Sequence, residues 1–320
     1  ALGASLADSG DEVVRLVRRP PKGPGEVFWD PANGDLDVAA VEGFDAVVNL
    51  AGAGIGDRRW SDARRDLILD SRVQSTELLA AKLAATKRKP EVFISGSAIG
   101  YYGDRIDPVT EVDGPADPPD FLSEVTVAWE AATAEAERAG IRTAHIRTGI
   151  VLAGSGGALG KLLLPFRLGV GGRLGSGETW WSWISIADEV RAIRHIMDTP
   201  LSGPVNVTGP NPVTNAELTK VLGRVLRRPT LLPVPRFALE PLEFYGKKIK
   251  KNQLLLLMIA AANRDSAGNP DAEVFDITRD NIQHVAFGHG IHLCLGLSLA
   301  RLEAKIAFTA ILDRFEELSL

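Results

Sequence analysis

The feature that most constrains the fold is a regular alternation of two residue patterns over the first 235 residues. Short apolar runs rich in β-branched residues are separated by longer stretches of Ala, Leu, Glu and Arg with helical spacing. Strands that alternate with helices build βαβ units, in which helices cover both faces of a parallel sheet. We therefore predict an α/β fold with a doubly wound parallel sheet. The predicted strands cover residues 12–17, 45–50, 91–95, 142–146 and 204–207, and the clearest helices cover 60–85, 121–139 and 215–227.

Length and composition exclude several classes of protein. A chain of 320 residues is longer than a single core usually supports, so we expect two domains. The formal net charge of −5 argues against a nucleic-acid-binding protein. A single cysteine excludes a disulfide framework and fits a reducing compartment. The longest apolar run, residues 254–262, is too short to span a membrane, and no signal peptide opens the sequence. We expect a cytoplasmic protein that binds neither nucleic acid nor membranes.

Composition changes sharply near residues 233–242, where we place a domain boundary. All six tryptophans precede residue 184, whereas three of the five histidines and the only cysteine lie between residues 284 and 294. We therefore predict one domain over residues 1–235 and a second over 236–320.

The chain opens with a helix-like segment, residues 1–7, that leads directly into the strand at 12–17. A doubly wound nucleotide-binding sheet starts with a strand and a glycine-rich turn that precede such a helix. Two interpretations are open: the fold begins with a helix, or the sequence begins inside a βαβ unit whose first strand is missing. We favour the second interpretation and expect a sheet that lacks its first strand.

The residues at the ends of the predicted strands indicate a dinucleotide site. The first strand ends in Arg18 and Arg19, and arginine at the corresponding position of such folds accommodates the 2′-phosphate of NADP. Small residues follow the next two strands, Ala51-Gly52 and then residues 95–98, which lets a ligand approach the backbone closely. Solvated arginines at a strand exit and polar turns after buried strands are the alternative interpretations.

A series of motifs occurs in one order along residues 1–235. It comprises Asn49-Leu50-Ala51-Gly52, Arg59-Trp60, Ser71-Arg72, Ser95-Gly96-Ser97-Ala98, Gly100-Tyr101-Tyr102-Gly103, Thr110-Glu111, Trp129-Glu130, residues 147–152, Gly175-Ser176-Gly177 and Asn206-Val207-Thr208. Together these motifs resemble the epimerase-like, NAD(P)-binding branch of the extended short-chain dehydrogenases/reductases.

This resemblance implies a Rossmann core that binds NADP and acts on a small-molecule substrate. The positions that it assigns to cofactor binding are Val17, Arg18, Arg19, Leu50, Ala51, Gly52, Arg72, Ser95, Ile150 and Val151.

Two departures from the family pattern predict low or no activity. The family pattern starts with a strand and a Gly-x-x-Gly-x-x-Gly turn, which holds the pyrophosphate with backbone N–H groups, and we expect this sequence to begin after both. The Tyr-x-x-x-Lys pair of active short-chain enzymes is expected near Leu122 and Thr126, and neither residue transfers a proton. Ser97, Tyr101 and Tyr102 are the candidate catalytic residues that remain, with structural packing as the alternative role of both tyrosines.

A second motif lies near the other end of the sequence. Residues 287–296 read Phe-Gly-His-Gly-Ile-His-Leu-Cys-Leu-Gly, and an apolar stretch with helical spacing follows. Glycines on both sides of Cys294 indicate an open loop, where a thiolate near a helix N-terminus could ligate a metal. A buried, apolar cysteine is the alternative.

Over about residues 236–320, the pattern resembles the haem-binding region of cytochrome P-450 monooxygenases. The resemblance implies haem as a second cofactor, Cys294 as the thiolate ligand of its iron, and His292 and Arg236 beside the propionates. A redox partner is expected only if this site is functional. We find neither the long distal helix of that family nor its Glu-x-x-Arg pair in a matching context, so we predict a mostly helical haem-loop fragment. A haem-thiolate monooxygenase and an inactive chimeric fragment are the alternative functions.

Overall fold

The computed structural model describes residues 1–58, 60–105, 107–154, 156–169, 171–230, 242–244 and 247–249. The α-helices, α1 to α7, are Leu2–Asp8, Asp62–Ala85, Phe121–Ala131, Ala134–Arg138, Gly157–Arg167, Ile186–Asp198 and Asn215–Leu226. The β-strands, β1 to β12, are Arg15–Val17, Glu26–Phe28, Ala46–Asn49, Val92–Ala98, Arg142–Thr148, Ile150–Ala153, Trp180–Trp181, Trp183–Ser185, Gly203–Val207, Val213–Thr214, Leu242–Phe244 and Lys247–Ile249. The predictions for Arg236, His292 and Cys294 lie outside the described residues.

The chain forms two compact units, Ala1–Glu243 and Phe244–Leu320. The first unit contains a four-stranded parallel sheet in the order β3-β4-β5-β9. Each of these strands coincides with an apolar run from which we predicted a strand, and the connections between them contain helices. The Rossmann-like α/β prediction is therefore confirmed.

Apolar layers cover both faces of this sheet, because successive side chains of β4 point to opposite sides. Phe93 packs in a layer with α2 and α4, whereas Val92 and Ile94 pack in a layer with α6. The first layer is built from Trp29, Leu36, Val41, Leu79, Ala80, Leu83, Phe93, Ala136 and Ile141. The second is built from Val92, Ile94, Ala144, Ile146, Ile184, Ile193, Ile196 and Val207.

The predicted helix over residues 121–139 is in fact two helices, α3 and α4. The break lies at Thr133, whose side chain is fully buried. Its hydroxyl lies 2.9 Å from Nε2 of His145 on β5 and 2.8 Å from the carbonyl of Glu130. The amphipathic pattern of the sequence alone does not reveal this break.

Two strands at one side of the fold each have a single partner. Among the residues that the structure describes, strand β1 pairs only with β2, in parallel, and β3 pairs only with β4. Within the described part of the chain, no strand joins these two sheets. The short strands β6, β7, β8 and β10 form separate two-stranded pairs that the sequence pattern did not indicate.

None of the helices that the structure describes has the length and apolar character required to cross a bilayer.

Two glycine-to-alanine substitutions are expected to change stability in opposite directions. A Cβ on Gly96 in β4 would lie 2.6 Å from the Trp129 ring, so Gly96→Ala should lower the free energy of unfolding by about 1–3 kcal/mol. A Cβ on Gly160 in α5 would meet nothing within 4 Å, so Gly160→Ala should raise it by about 0.5–1 kcal/mol. Urea denaturation measures both changes, and equal effects would contradict the packing at Gly96.

Candidate cofactor-binding and active site

A cleft of about 760 Å³ lies at the carboxyl ends of β1 and β3. Its walls include Arg18, which directly follows β1, and the small residues Ala51 to Gly54, which follow β3. We call it the carboxyl-edge cleft. In open α/β sheets, ligands bind outside the carboxyl ends of the strands, so this cleft has the location of a ligand site.

The two arginines that follow β1 have different surroundings. Arg19 donates hydrogen bonds to both carboxylate oxygens of Glu26, each at 2.7 Å. These bonds, together with one from the backbone of Lys22, lower the pKa of Glu26 to about 2. Arg18 lines the carboxyl-edge cleft, and Arg19 is not among the lining residues. Of the two predicted cofactor-binding arginines, Arg18 is therefore the one that lines the cleft.

The loop after β3 is shaped by Arg72 of α2. Nη1 of Arg72 donates to the carbonyl of Ala53 at 3.0 Å, and its guanidinium carbon lies 5.0 Å from the centre of the Trp129 ring. Burial lowers the pKa of Arg72. A Cβ on Gly52 would lie 3.0 Å from the guanidinium carbon, so glycine gives Arg72 the space to hold this loop.

The sequence interpretation missed other residues of the cleft. Arg64, Ser71 and Ser75 of α2 line its opposite wall. These residues are seven and four positions apart, which places them on one face of a helix. The helix is predicted from the sequence, so the spacing of these polar residues within it is the pattern from which they could have been identified.

A buried polar network connects the carboxyl halves of β4, β5 and β9. Arg147 of β5 donates to both carboxylate oxygens of Glu130, at 2.8 and 2.9 Å. The hydroxyl of Ser97 donates to the same carboxylate at 2.6 Å. The hydroxyl of Tyr102 accepts from Arg147 at 2.8 Å and donates to Asn206 at 2.7 Å. We call Ser97, Tyr102, Glu130, Arg147 and Asn206 the arginine network.

Arg147 stays protonated in this network. Burial alone would lower its pKa, but the hydrogen bonds to Glu130 and Tyr102 outweigh burial and raise the pKa above its ordinary value. The guanidinium carbon also lies 3.5 Å from the centre of the Tyr101 ring, which is a close cation–π contact. The hydroxyls of Ser97 and Tyr102 are thus held by fixed partners, and Tyr101 is half-buried against the guanidinium.

The positions where we expected the Tyr-x-x-x-Lys pair lie on α3. The hydroxyl of Thr126 donates back to the carbonyls of Leu122 and Ser123 in its own helix, at 3.0 and 2.9 Å. The Leu122 side chain faces Gly100, where an added Cβ would lie 3.3 Å from its own. Neither side chain offers a proton to a ligand.

The other residues predicted to bind the cofactor do not all lie in the carboxyl-edge cleft. Val17, Leu50 and Ala51 line a second cavity next to the carboxyl-edge cleft. Ser95 is fully buried and its hydroxyl contacts the carbonyl of Gly96 at 3.2 Å. Ile150 and Val151 lie in β6, which pairs with β8 rather than with the main sheet. The carboxyl-edge cleft thus contains Arg18, Ala51 and Gly52 of the predicted set.

Comparison with family models matches residues 1–209 to the NAD dependent epimerase/dehydratase family. An epimerase family protein of Mycobacterium bovis, Mb2239, is 45% identical over 239 residues, which cover 74% of this chain and 78% of the relative. The chain belongs to the NAD dependent epimerase/dehydratase family. The human epimerase family protein SDR39U1 is 35% identical over 238 residues, covering 73% of this chain and 79% of that protein.

Solved structures agree with this family assignment. The crystal structure of human SDR39U1 (isoform 2) with NADPH has a TM-score of 0.64 and 34% identity, and it covers 73% of this chain and 78% of that chain. A nucleoside-diphosphate sugar epimerase from Corynebacterium glutamicum has a TM-score of 0.61 and 40% identity, covering 77% of this chain and 53% of that chain.

A second family model, Cytochrome P450, matches residues 218–319. Both resemblances found in the sequence are therefore confirmed, one for each part of the chain.

Removal of the carboxylate from the arginine network should destabilise the fold. The Arg147 side chain is only 3% exposed, and Glu130→Ala leaves its charge buried without its main partner. We expect the free energy of unfolding to fall by about 3–5 kcal/mol, measured by chemical denaturation. Arg191→Ala is the control, because it removes an ion pair with an arginine that is 77% exposed and should change stability by less than about 1 kcal/mol. Similar losses in both variants would contradict the buried-network assignment.

Glu189 on α6 should make stability depend on pH. Its side chain is buried, Thr148 donates to one carboxylate oxygen at 2.9 Å, and the other oxygen has no hydrogen-bond partner among the described residues. Burial raises the pKa of Glu189 above that of the unfolded chain, so its favourable contribution is complete at low pH and is lost as pH rises through the folded pKa. Glu189→Gln should therefore gain stability relative to the wild type as the pH rises above about 4.3, the ordinary pKa of a glutamate. Denaturation curves of both proteins at several pH values test this expectation. A difference in the free energy of unfolding that does not change with pH would contradict it.

Proposed function

We propose that this protein binds NADP(H) in the carboxyl-edge cleft and acts as an oxidoreductase or epimerase-like enzyme on a small molecule. The observation that carries the proposal is the position of Arg18. It follows β1 directly and lines the cleft, where its guanidinium can bind a 2′-phosphate. The human relative whose solved structure contains NADPH supports the same cofactor.

The cleft residues fit a phosphorylated dinucleotide. Arg18 and Arg64 supply positive charge, and the small residues from Ala51 to Gly54 allow the cofactor to approach the backbone. Of the two carboxylates in the cleft, Asp57 is paired with Lys161 at 3.0 Å, which lowers its pKa and balances its charge.

The bound nicotinamide would supply a hydride acceptor or donor, and this chain's residues would bind and orient the reactants. Arg147 and Glu130 fix the carboxyl ends of β4 and β5, and Tyr101 packs on Arg147. Since Leu122 and Thr126 take the place of the usual tyrosine and lysine, proton transfer depends on a hydroxyl already bonded within the arginine network or on the substrate itself. We therefore propose slow turnover.

The cofactor assignment predicts that substitution of one of two neighbouring arginines weakens NADPH binding, whereas substitution of the other does not. Arg18→Gln should weaken NADPH binding by about 10- to 100-fold, since a charge-assisted hydrogen bond contributes about 1.5–3 kcal/mol. NADH binding should change little, because NADH lacks the 2′-phosphate. Nicotinamide fluorescence titration measures both affinities.

Arg19→Gln is the matched control, since it removes the same charge one residue away, where the guanidinium is bonded to Glu26. It should leave NADPH affinity within about twofold of the wild type. Equal losses in the two variants, or equal losses for NADPH and NADH, would contradict the assignment. A wild type whose melting temperature does not rise with saturating NADPH would contradict cofactor binding itself.

A second candidate function is haem-thiolate chemistry in residues 218–319, which match the Cytochrome P450 model. The sequence Phe-Gly-His-Gly-Ile-His-Leu-Cys-Leu-Gly at 287–296 supports Cys294 as the iron ligand. Reconstitution with haem should then give the Soret band of a thiolate–carbon monoxide complex. Cys294→Ala should abolish that band, whereas His284→Ala, outside the motif, should retain it. No thiolate band in the reconstituted wild type would exclude this function and favour an inactive chimeric fragment.

A further inference from the structure

The loop after β3 is held by side-chain donors at four successive backbone carbonyls. The carbonyls of residues 53–56 each accept a hydrogen bond from a different long side chain. In the order of those carbonyls, the donors are Arg72 at 3.0 Å, Arg64, Trp60 at 2.7 Å and Lys161 at 2.7 Å. Lys161 also donates to Oδ1 of Asp57 at 3.0 Å. We call residues 53–57 the cleft loop, because three of them line the carboxyl-edge cleft.

Lys161 differs from the other three donors in its place along the chain. Arg64 and Arg72 belong to α2, and Trp60 lies two residues before that helix. Lys161 lies on α5, 105 residues beyond Gly56. Helix α5 follows β6, which pairs with β8 rather than with the main sheet. Lys161 therefore connects the cleft loop to an element that is distant in sequence and lies outside the main sheet.

The ion pair between Lys161 and Asp57 lies at the surface. Their side chains are 58% and 60% exposed, and ion pairs as exposed as this one contribute little to the stability of a fold. The hydrogen bond from Lys161 lowers the pKa of Asp57, so Asp57 is a carboxylate at neutral pH. The pair is therefore important for the charge in the wall of the cleft rather than for folding.

The charges around the cleft show how this pair affects an anionic ligand. Among the described residues that line the cleft, two arginines and two aspartates carry charge, so the lining has no formal net charge. Two cations outside the lining contact it: Arg72 holds the carbonyl of Ala53, and Lys161 is bonded to Asp57. Without Lys161, the Asp57 carboxylate would face a bound polyanion uncompensated, and like charges in a partly enclosed cleft repel each other.

We propose that Lys161 is a positioning residue of the cofactor site, which neutralises Asp57 and fixes the cleft loop so that the cleft accepts a polyanionic dinucleotide. This inference rests on the proposed binding of NADP(H) in the same cleft. Lys161 acts through Asp57 and the carbonyl of Gly56, and it needs no contact with the ligand. Because the effect is electrostatic, it is larger for NADPH than for NADH, which lacks the 2′-phosphate, and it decreases as salt is added.

Fluorescence titration of the full chain with NADPH and with NADH tests the proposal. Lys161→Met should weaken NADPH binding by about 5- to 20-fold at low ionic strength, because an uncompensated carboxylate then faces the ligand. The loss for NADH should be about two- to threefold. In about 1 M salt, where the screening length is about 3 Å, the loss for NADPH should fall to about threefold or less.

Three further variants separate the charge of Lys161 from its packing. Asp57→Asn added to Lys161→Met removes the uncompensated carboxylate, so it should restore NADPH affinity to within about threefold of the wild type. Lys161→Arg keeps the charge and should also stay within about threefold. Lys220→Met is the matched control, since it removes an exposed lysine near Glu217 on α7, outside the lining of the cleft, and should change the affinity by less than about twofold.

Several results would overturn the proposal. Equal NADPH affinities of the Lys161→Met and Lys220→Met variants would show that Lys161 does not act on the site. A double variant that binds as weakly as Lys161→Met, or a loss that persists in 1 M salt, would show that the charge of Asp57 is not the cause. A large fall in the melting temperature of Lys161→Met would assign Lys161 a structural role instead.

The same titrations separate this inference from the proposed function on which it rests. A wild type that binds no NADPH would contradict both. A wild type that binds NADPH, together with a Lys161→Met variant of unchanged affinity, would contradict the role of Lys161 alone.

Discussion

The ion pair between Arg147 and Glu130 is the interaction on which the rest of this unit depends. It joins the central strand β5 to α3, and through Tyr102 and Asn206 it also joins β9. A buried guanidinium is costly unless its donors are bonded, and here two carboxylate oxygens and a phenol oxygen accept from it. The same network fixes Ser97, so the carboxyl ends of three neighbouring strands are held as one rigid group.

The hydrogen bonds of this network distinguish the candidate catalytic hydroxyls from the candidate cofactor cleft. Ser97 and Tyr102 are part of the structure that positions the strand ends, and their protons already have acceptors. The carboxyl-edge cleft, in contrast, is lined by Arg18 and by a loop of small residues. The proposed binding of a nicotinamide cofactor therefore requires no group that is already bonded within the network, whereas proton transfer does, which is the reason for proposing slow turnover.

The strands of the main sheet were predictable because a short apolar run is a local sequence pattern. A run such as residues 91–95 is typical of a strand whose sheet is covered on both faces. The position of Arg18 in the wall of the cleft was predictable from its place after a strand. The selection of Arg18 over Arg19 was not, since it depends on Glu26, a residue of another strand. The contact of Thr133, at the break between α3 and α4, with His145 of β5 likewise joins residues of different elements. Contacts between residues that are distant in sequence produce no periodic pattern from which they could be predicted.

Trp129 links two parts of the molecule that are separate in sequence. Its indole N–H donates to Thr76 at 3.0 Å, Arg72 lies over its ring, and Arg72 in turn holds the carbonyl of Ala53 beside the carboxyl-edge cleft. Any ligand that displaces the loop after β3 must also move the guanidinium relative to the indole. Because a nearby cation alters the electrostatic field at an indole, such a movement would change the emission of Trp129.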